Sequence, residues 1–185
     1  MVGHPEDNEN LTDNEGSTDG EDFLAAERDI RKRLGDRELD LDSLHAISNI
    51  YRAATAVRRR AEREVLAQHN LSWGGFTILW VLWVWGQMDT ARLASECGLA
   101  KGTLTGMLTT LERRRLVERE QVKTDRRKVT VALTSDGLTL IEDLFPRFNA
   151  YEVAMSEGLS LTEKRELARL LRIVISNALQ KGVRG

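Results

Sequence analysis

The stretch TARLASECGLAKGTLTGMLTTLERRRLVEREQVKTDRRKVTVALT, residues 90–134, decides how this chain folds. Asp89 or Thr90 can start a short helix with Leu93 and Ala94 facing inward and Gly98 ending it. A second helix follows from about Lys101 to Arg114, with Leu104, Leu108 and Leu111 on one face. Two segments of strand character come next. Leu116–Val122 alternates weakly, whereas Lys128–Leu133 sets Val129, Val131 and Leu133 on one face against Lys128, Thr130 and Ala132 on the other. The turn between them, Lys123 to Arg127, is charged. Two short helices on a tight turn place the second one in a major groove, and a basic hairpin beside it reaches phosphates or the minor groove.

Upstream, Ser72 can cap a helix running to about Trp85 and closed by Gly86. Before it lies a long helix from about Asp42 to Gln68, striped by Leu44, Ile47, Tyr51, Ala54, Val57, Ala61 and Val65. His69-Asn70 marks its end, since Asn tolerates a left-handed cap. Phe23, Ile30 and Leu34 suggest a short amphipathic helix in front, between Asp22 and Gly35. Downstream, Thr134 can cap a helix lasting to about Glu157, with Pro146 expected to kink it. A last helix spans about Thr162 to Gln180, striped by Leu167, Leu170, Leu171, Val174 and Ala178. The fold class is therefore mainly α with a small β wing: a winged helix-turn-helix flanked by N- and C-terminal helices.

Charge sharpens this reading. Residues 1–22 hold eight acidic residues and no Lys or Arg, so they carry -8 of a net -2, and the rest of the chain carries +6. Residues 101–128 hold nine basic and four acidic residues, a local +5. Such a stripe is either a solvated surface or a nucleic-acid footprint. The first 22 residues contain almost nothing apolar, so they read as a flexible acidic tail.

Several classes are disfavoured. The longest apolar run, Ile78 to Trp85, has eight residues, and a bilayer span needs about 20. The acidic start does not resemble a secretory signal. One cysteine, Cys97, permits no intrachain disulfide, and His4, His45 and His69 are scattered, so no metal cluster or cofactor is expected. No glycine-rich phosphate loop, nucleophile elbow or His-Glu metal motif points to an enzyme. The expectation is a soluble cytoplasmic protein without membrane association.

The segments Leu93-Ala94, Gly102-Thr103-Leu104-Thr105, Leu111-Glu112, Leu116-Val117-Glu118-Arg119, Asp125-Arg126-Arg127, Val131-Ala132-Leu133-Thr134 and Gly137 together resemble the MarR family, the multiple antibiotic resistance regulators. The resemblance covers roughly residues 42–180. It departs at Arg115, where members usually have Gly, and at Ala100, where a Ser-like cap often stands. It implies a homodimer whose terminal helices interlock and whose two winged domains read a pseudo-palindromic operator in double-stranded DNA. It also implies a repressor released by a small molecule. The organisation expected is an acidic tail at 1–22, dimerisation helices at 23–70 and 137–185, and a DNA-binding domain at 71–136. The competing reading is a winged-helix protein-interaction module without ligand response.

Residue roles follow. Lys101, Gly102, Thr103, Thr105, Gly106 and Thr109 lie off the apolar face of the recognition helix, where small and hydroxyl residues permit close approach to base edges. Arg127 resembles the family's minor-groove arginine and Asp125 its orienting partner; Arg126 and Lys123 suit phosphates. Trp73, Phe76, Trp80 and Trp83 form a stripe that is either core or a flat wall for an aromatic ligand. Arg58 sits amid the apolar stripe of the long helix, seven residues from both Tyr51 and Val65. Its partner there would be an acid from a neighbouring helix or a ligand carboxylate. Tyr51, Arg58, Trp73 and Trp80 are thus the candidate effector residues, suited to an aromatic carboxylate or its acyl thioester. Cys97 reads as a small buried residue rather than a thiol sensor.

Overall fold

A computed structural model describes residues 24–35, 37–122 and 125–180; for Val122 and residues 125–128 it describes the backbone only. Phe23, the acidic tail and Lys123 lie outside the described residues. The chain divides into two compact units, Met1–Arg52 and Ala53–Gly185.

In the first unit, helix α1 (Ala25–Leu34) and the start of α2 (Leu41–Ala61) share a buried carboxylate. Glu27 is only 5% exposed. Its Oε2 accepts the Leu24 amide at 2.8 Å, closing the first turn of α1, and its Oε1 accepts the Asn49 side-chain amide at 2.7 Å. Arg52 braces Asn49 in turn, donating to its Oδ1 at 3.1 Å. These bonds hold Glu27 below the usual carboxylate range, the Asn49 bond most of all.

The long helix of the second unit departs from expectation. It ends as an α-helix at Ala61, widens into a π turn over Glu62–Leu66 and tightens into a 3-10 turn over Ala67–His69. The cause is legible in the packing: Ala61 and Leu66 are both fully buried, five residues apart, and an i to i+5 turn puts both on the core side. Asn70 closes the segment in the left-handed conformation, φ 50°, as its sequence suggests. Tyr151 of α6 tethers the helix just before this tail, and Glu62 tethers the tail itself. The Tyr151 hydroxyl donates to the Val57 carbonyl at 2.6 Å, and Glu62 accepts the Trp73 amide at 3.0 Å.

Helix α3 (Trp73–Trp85) is capped by Ser72, whose hydroxyl accepts the Gly75 amide, and stops at Gly86, φ 73°. Its Phe76, Ile78, Leu79, Val81 and Leu82 are buried at the centre of the core. Around them gather Leu93 and Ala94 of α4 (Thr90–Glu96), Leu104, Leu108 and Leu111 of α5 (Lys101–Arg113), and Ile141, Leu144 and Phe148 of α6 (Ser135–Met155). The Phe76 and Phe148 rings stack with centroids 4.2 Å apart. Helix α6 is capped by Thr134 and runs continuously past Pro146. Helix α7 (Leu161–Leu179) opens on Ser160 with a reciprocal Glu163 bond.

The sheet has three antiparallel strands in the order β1 (Met88–Asp89), β3 (Asp125–Leu133), β2 (Val117–Val122). The two-residue β1, too short to show a period, was not expected. Strand β3 begins three residues before the expected Lys128, because the ladder with β2 continues through a register irregularity at Gln121/Val122 to pair Val122 with Asp125. Charged residues break the alternation without breaking the backbone ladder.

Candidate nucleic-acid interface

The recognition helix α5 has two distinct sides. Leu104, Leu108 and Leu111 are buried, at most 3% exposed, and fasten it to the core. Lys101, Gly102, Thr103, Thr105, Gly106 and Thr109 are all exposed, so every residue expected to face DNA on this helix lies at the surface. The Thr105 hydroxyl donates to the Lys101 carbonyl at 2.9 Å and that of Thr109 to the Thr105 carbonyl at 3.0 Å. Each hydroxyl oxygen keeps lone pairs, and rotation frees its proton for another acceptor. Ala100 stands at the N-cap without a side-chain bond, leaving first-turn amides to donate to an outside anion.

Two links set the wing against this helix. Arg119 on β2 and Glu112 on the last turn of α5 form an ion pair in which both Nε and Nη2 donate to one carboxylate oxygen. The pair draws the Glu112 carboxyl below its ordinary range. The second link is the Thr134 hydroxyl, which donates to the Arg115 carbonyl and accepts the Gly137 amide at 3.1 Å. Gly137 lies so close beneath β2 that an added Cβ would stand 1.9 Å from the Leu116 carbonyl oxygen. The Thr134-x-x-Gly137 element therefore joins α6 to the base of the wing, and only glycine fits its last position. Arg115 turns the chain from α5 into β2 with φ 57°, a left-handed residue where glycine is the usual choice.

Between α4, α5 and the wing opens a cavity of about 510 Å³, floored by Leu104, Leu108 and Val129 and rimmed by Lys101, Thr105 and Arg119. The backbone of Asp125, Arg126 and Arg127 lies in β3; their side chains are outside the described residues.

The residues singled out for an effector fare differently. Arg58 is exposed, which corrects its placement on a buried stripe: the inward positions here are Val57 and Ala61, then Leu66 once the π turn shifts the register. Tyr51 is 71% exposed and Ile47 41% among the described residues. Trp73 packs against Phe76 and Phe148, with centroids 6.3 and 6.0 Å away. Trp80 meets Trp85 edge-on at 5.3 Å and Trp83 meets Phe145 at 5.1 Å. The three tryptophans of the stripe thus flank the core, half-buried, while Phe76 lies within it. Cys97 is half-buried, and burial together with the Glu96 charge pushes its thiol up to about 11, the wrong direction for a reactive thiolate. Sequence reasoning did not single out Arg114 and Arg119, because only the fold shows what their guanidinium groups touch. Among the described residues no helix is long and apolar enough to cross a membrane.

Comparison with known proteins places this geometry. The profile described as MarR family matches residues 71–129, the segment from α3 to the wing. The uncharacterised HTH-type transcriptional regulator YwaE of Bacillus subtilis is 36% identical over 146 residues, covering 79% of this chain and 85% of the relative. Among solved structures, a mutant MarR from E. coli complexed with operator DNA superposes with a TM-score of 0.67 at 22% identity, over 75% of this chain and 99% of that one. BpsR of Bordetella bronchiseptica, whose DNA binding is regulated by 6-hydroxynicotinic acid, does so at 0.65 and 24%, over 70% and 98%. At those identities the structures speak for the fold.

Proposed function

The chain belongs to the MarR family and is a DNA-binding transcriptional regulator rather than an enzyme; on that premise we propose that it acts as a homodimeric repressor released from a pseudo-palindromic operator by a small aromatic acid or its acyl thioester. The observation that carries the DNA side is the two-sided α5, with its apolar row buried and Lys101, Gly102, Thr103, Thr105, Gly106 and Thr109 exposed together. Lys123, Asp125, Arg126 and Arg127 complete the interface from the wing, Arg127 in the minor groove with Asp125 orienting it and the other two on phosphates. Residues 71–136 form the DNA-binding part, and 23–70 with 137–185 the dimerisation parts.

The effector half rests on chemistry and on the neighbour BpsR, whose regulator is an aromatic carboxylate. In this chain Trp73 and Trp80 are half-buried and the Arg58 cation is exposed; Tyr51, a residue of the first unit, is exposed too. Flat apolar walls with one cation suit such an anion, and it releases DNA only by favouring the DNA-incompetent spacing of the two recognition helices. The test is operator selection from a random duplex library, followed by titration of 6-hydroxynicotinic and salicylic acids against the selected duplex. A selected pseudo-palindrome with half-sites about 10 bp or a multiple apart is expected. Arg127→Ala should weaken binding to it with the dimer intact. Arg58→Ala should raise the acid concentration needed for release while leaving acid-free affinity unchanged. No selectable sequence would overturn the DNA-reading assignment of these residues. Failure of both acids to release the duplex would overturn the aromatic-acid assignment.

A further inference from the structure

Two helices of the second unit end next to each other, and both end without glycine. The tail of α2 closes on Asn70 at φ 50°, and α5 closes on Arg114 followed by Arg115 at φ 57°. A helix C-terminus leaves carbonyls without intrahelical donors and carries partial negative charge. Here one guanidinium serves both ends. Arg114 caps its own helix through the backbone, while its Nη1 donates to the Asn70 carbonyl at 2.7 Å and its Nη2 to the His69 carbonyl at 2.8 Å. A planar fork matches two successive carbonyls in a way an ammonium does not.

The tail that receives this fork is itself irregular. It is the π and 3-10 segment: α6 holds the helix just before it, through the Tyr151 hydroxyl on the Val57 carbonyl, and α3 holds the segment itself through the Trp73 amide bonded to Glu62. Arg114 supplies the third tether, and the only one of the three that comes from the recognition helix. It leaves α5 on the last turn, one residue before the left-handed reversal into the wing. The row Leu104, Leu108 and Leu111 fastens α5 to the core and the Glu112–Arg119 pair ties its last turn to the wing, whereas Arg114 bonds its C-terminal end to the tail of α2.

We propose that Arg114 is a positioning residue for DNA reading: it locks the C-terminal end of the recognition helix to the tail of α2 and so fixes where Lys101 to Thr109 meet the bases. This rests on the reading of the exposed α5 face as the DNA-contacting one. The guanidinium is committed to backbone carbonyls, so its effect is on registration rather than on phosphate charge.

The experiment compares Arg114→Met and Arg114→Lys with wild type on two duplexes of equal length, one selected by the wild-type protein from a random library and one scrambled. Melting curves and salt slopes are recorded alongside. Arg114→Met is expected to lower affinity for the selected duplex about tenfold, since two charge-assisted bonds are lost. The scrambled duplex should bind as before, with an unchanged salt slope. Arg114→Lys should fall between, as one ammonium reaches one carbonyl at a time. Equal weakening on both duplexes with a slope reduced by about one would make Arg114 a phosphate contact and overturn the proposal. A lower melting temperature with an unchanged selected-to-scrambled ratio would reduce it to a structural brace and overturn it as well. If Arg114→Met does not fold, the ratio for Arg114→Lys decides in the same way. If wild type shows no preference between the duplexes, the reading of α5 fails first and takes this proposal with it.

Discussion

Arg115 carries the cost of a left-handed backbone with a Cβ in place, about 1–2 kcal/mol. Its side chain is exposed, and its backbone bonds survive substitution: its amide donates to the Glu112 carbonyl and its carbonyl accepts the Thr134 hydroxyl. Arg115→Gly should therefore stabilise the protein by about 1 kcal/mol, less than the full strain because glycine also loosens the unfolded chain. A urea midpoint that moves down instead would show that the guanidinium makes a compensating contact. Gly137 is the opposite case. A methyl group there would overlap a backbone carbonyl that cannot swing aside, so Gly137→Ala should cost about 1–3 kcal/mol, read from the same midpoints. Sequence alone shows that position 115 departs from the family pattern. It does not show why position 137 must be glycine, since the reason is a strand packed from 21 residues earlier.

Elements were legible where local signals sufficed. Ser72, Asp89 and Thr134 cap their helices as their side chains suggest, and Leu104, Leu108 and Leu111 form the buried row that their spacing requires. The π turn was not legible, because it is chosen by burying Ala61 and Leu66 together rather than by any residue's propensity. Nor was the α1–α2 clasp, since Glu27 and Asn49 lie 22 residues apart. That clasp predicts a pH dependence. The Glu27 carboxyl is held below its ordinary 4.5, so its contribution is complete above about pH 4.5 and is lost as pH falls through its own lower value. Glu27→Gln should melt below wild type at pH 6, and the gap between the two curves should narrow as the pH is taken down from 4.5 and the folded Glu27 takes up its proton. A gap that stays constant across the whole acid range in which the protein remains folded would show that the charge on Glu27 is not what docks α1.

At the scale of the whole molecule, the described residues leave a set of large apolar side chains bare. Leu167, Leu170, Ile173, Ile175 and Leu179 of α7 are 45–78% exposed, and Val153 of α6 is 59% exposed. A single chain rarely leaves so much apolar surface to water, and the homodimer proposed above would cover it with a second copy. Ile173→Asp should leave each chain folded but raise the dimer dissociation constant about a hundredfold or more, because the two-fold places the charge in the interface twice. Sedimentation would show a monomer at micromolar concentration; an unchanged dimer would assign α7 another role. The apolar stripes of the terminal helices were readable from spacing, but which of them lies bare was not, since that depends on how the core closes around α3. Helix α3 also gathers the protein's indole rings. All four tryptophans, Trp73, Trp80, Trp83 and Trp85, lie on it, each against another ring or half-buried beside the core. The intrinsic fluorescence of the protein is therefore a single-helix signal arising inside the matched DNA-binding segment. Any ligand or duplex that disturbs α3 can be followed by its emission without a label, and one that leaves α3 alone will be optically silent.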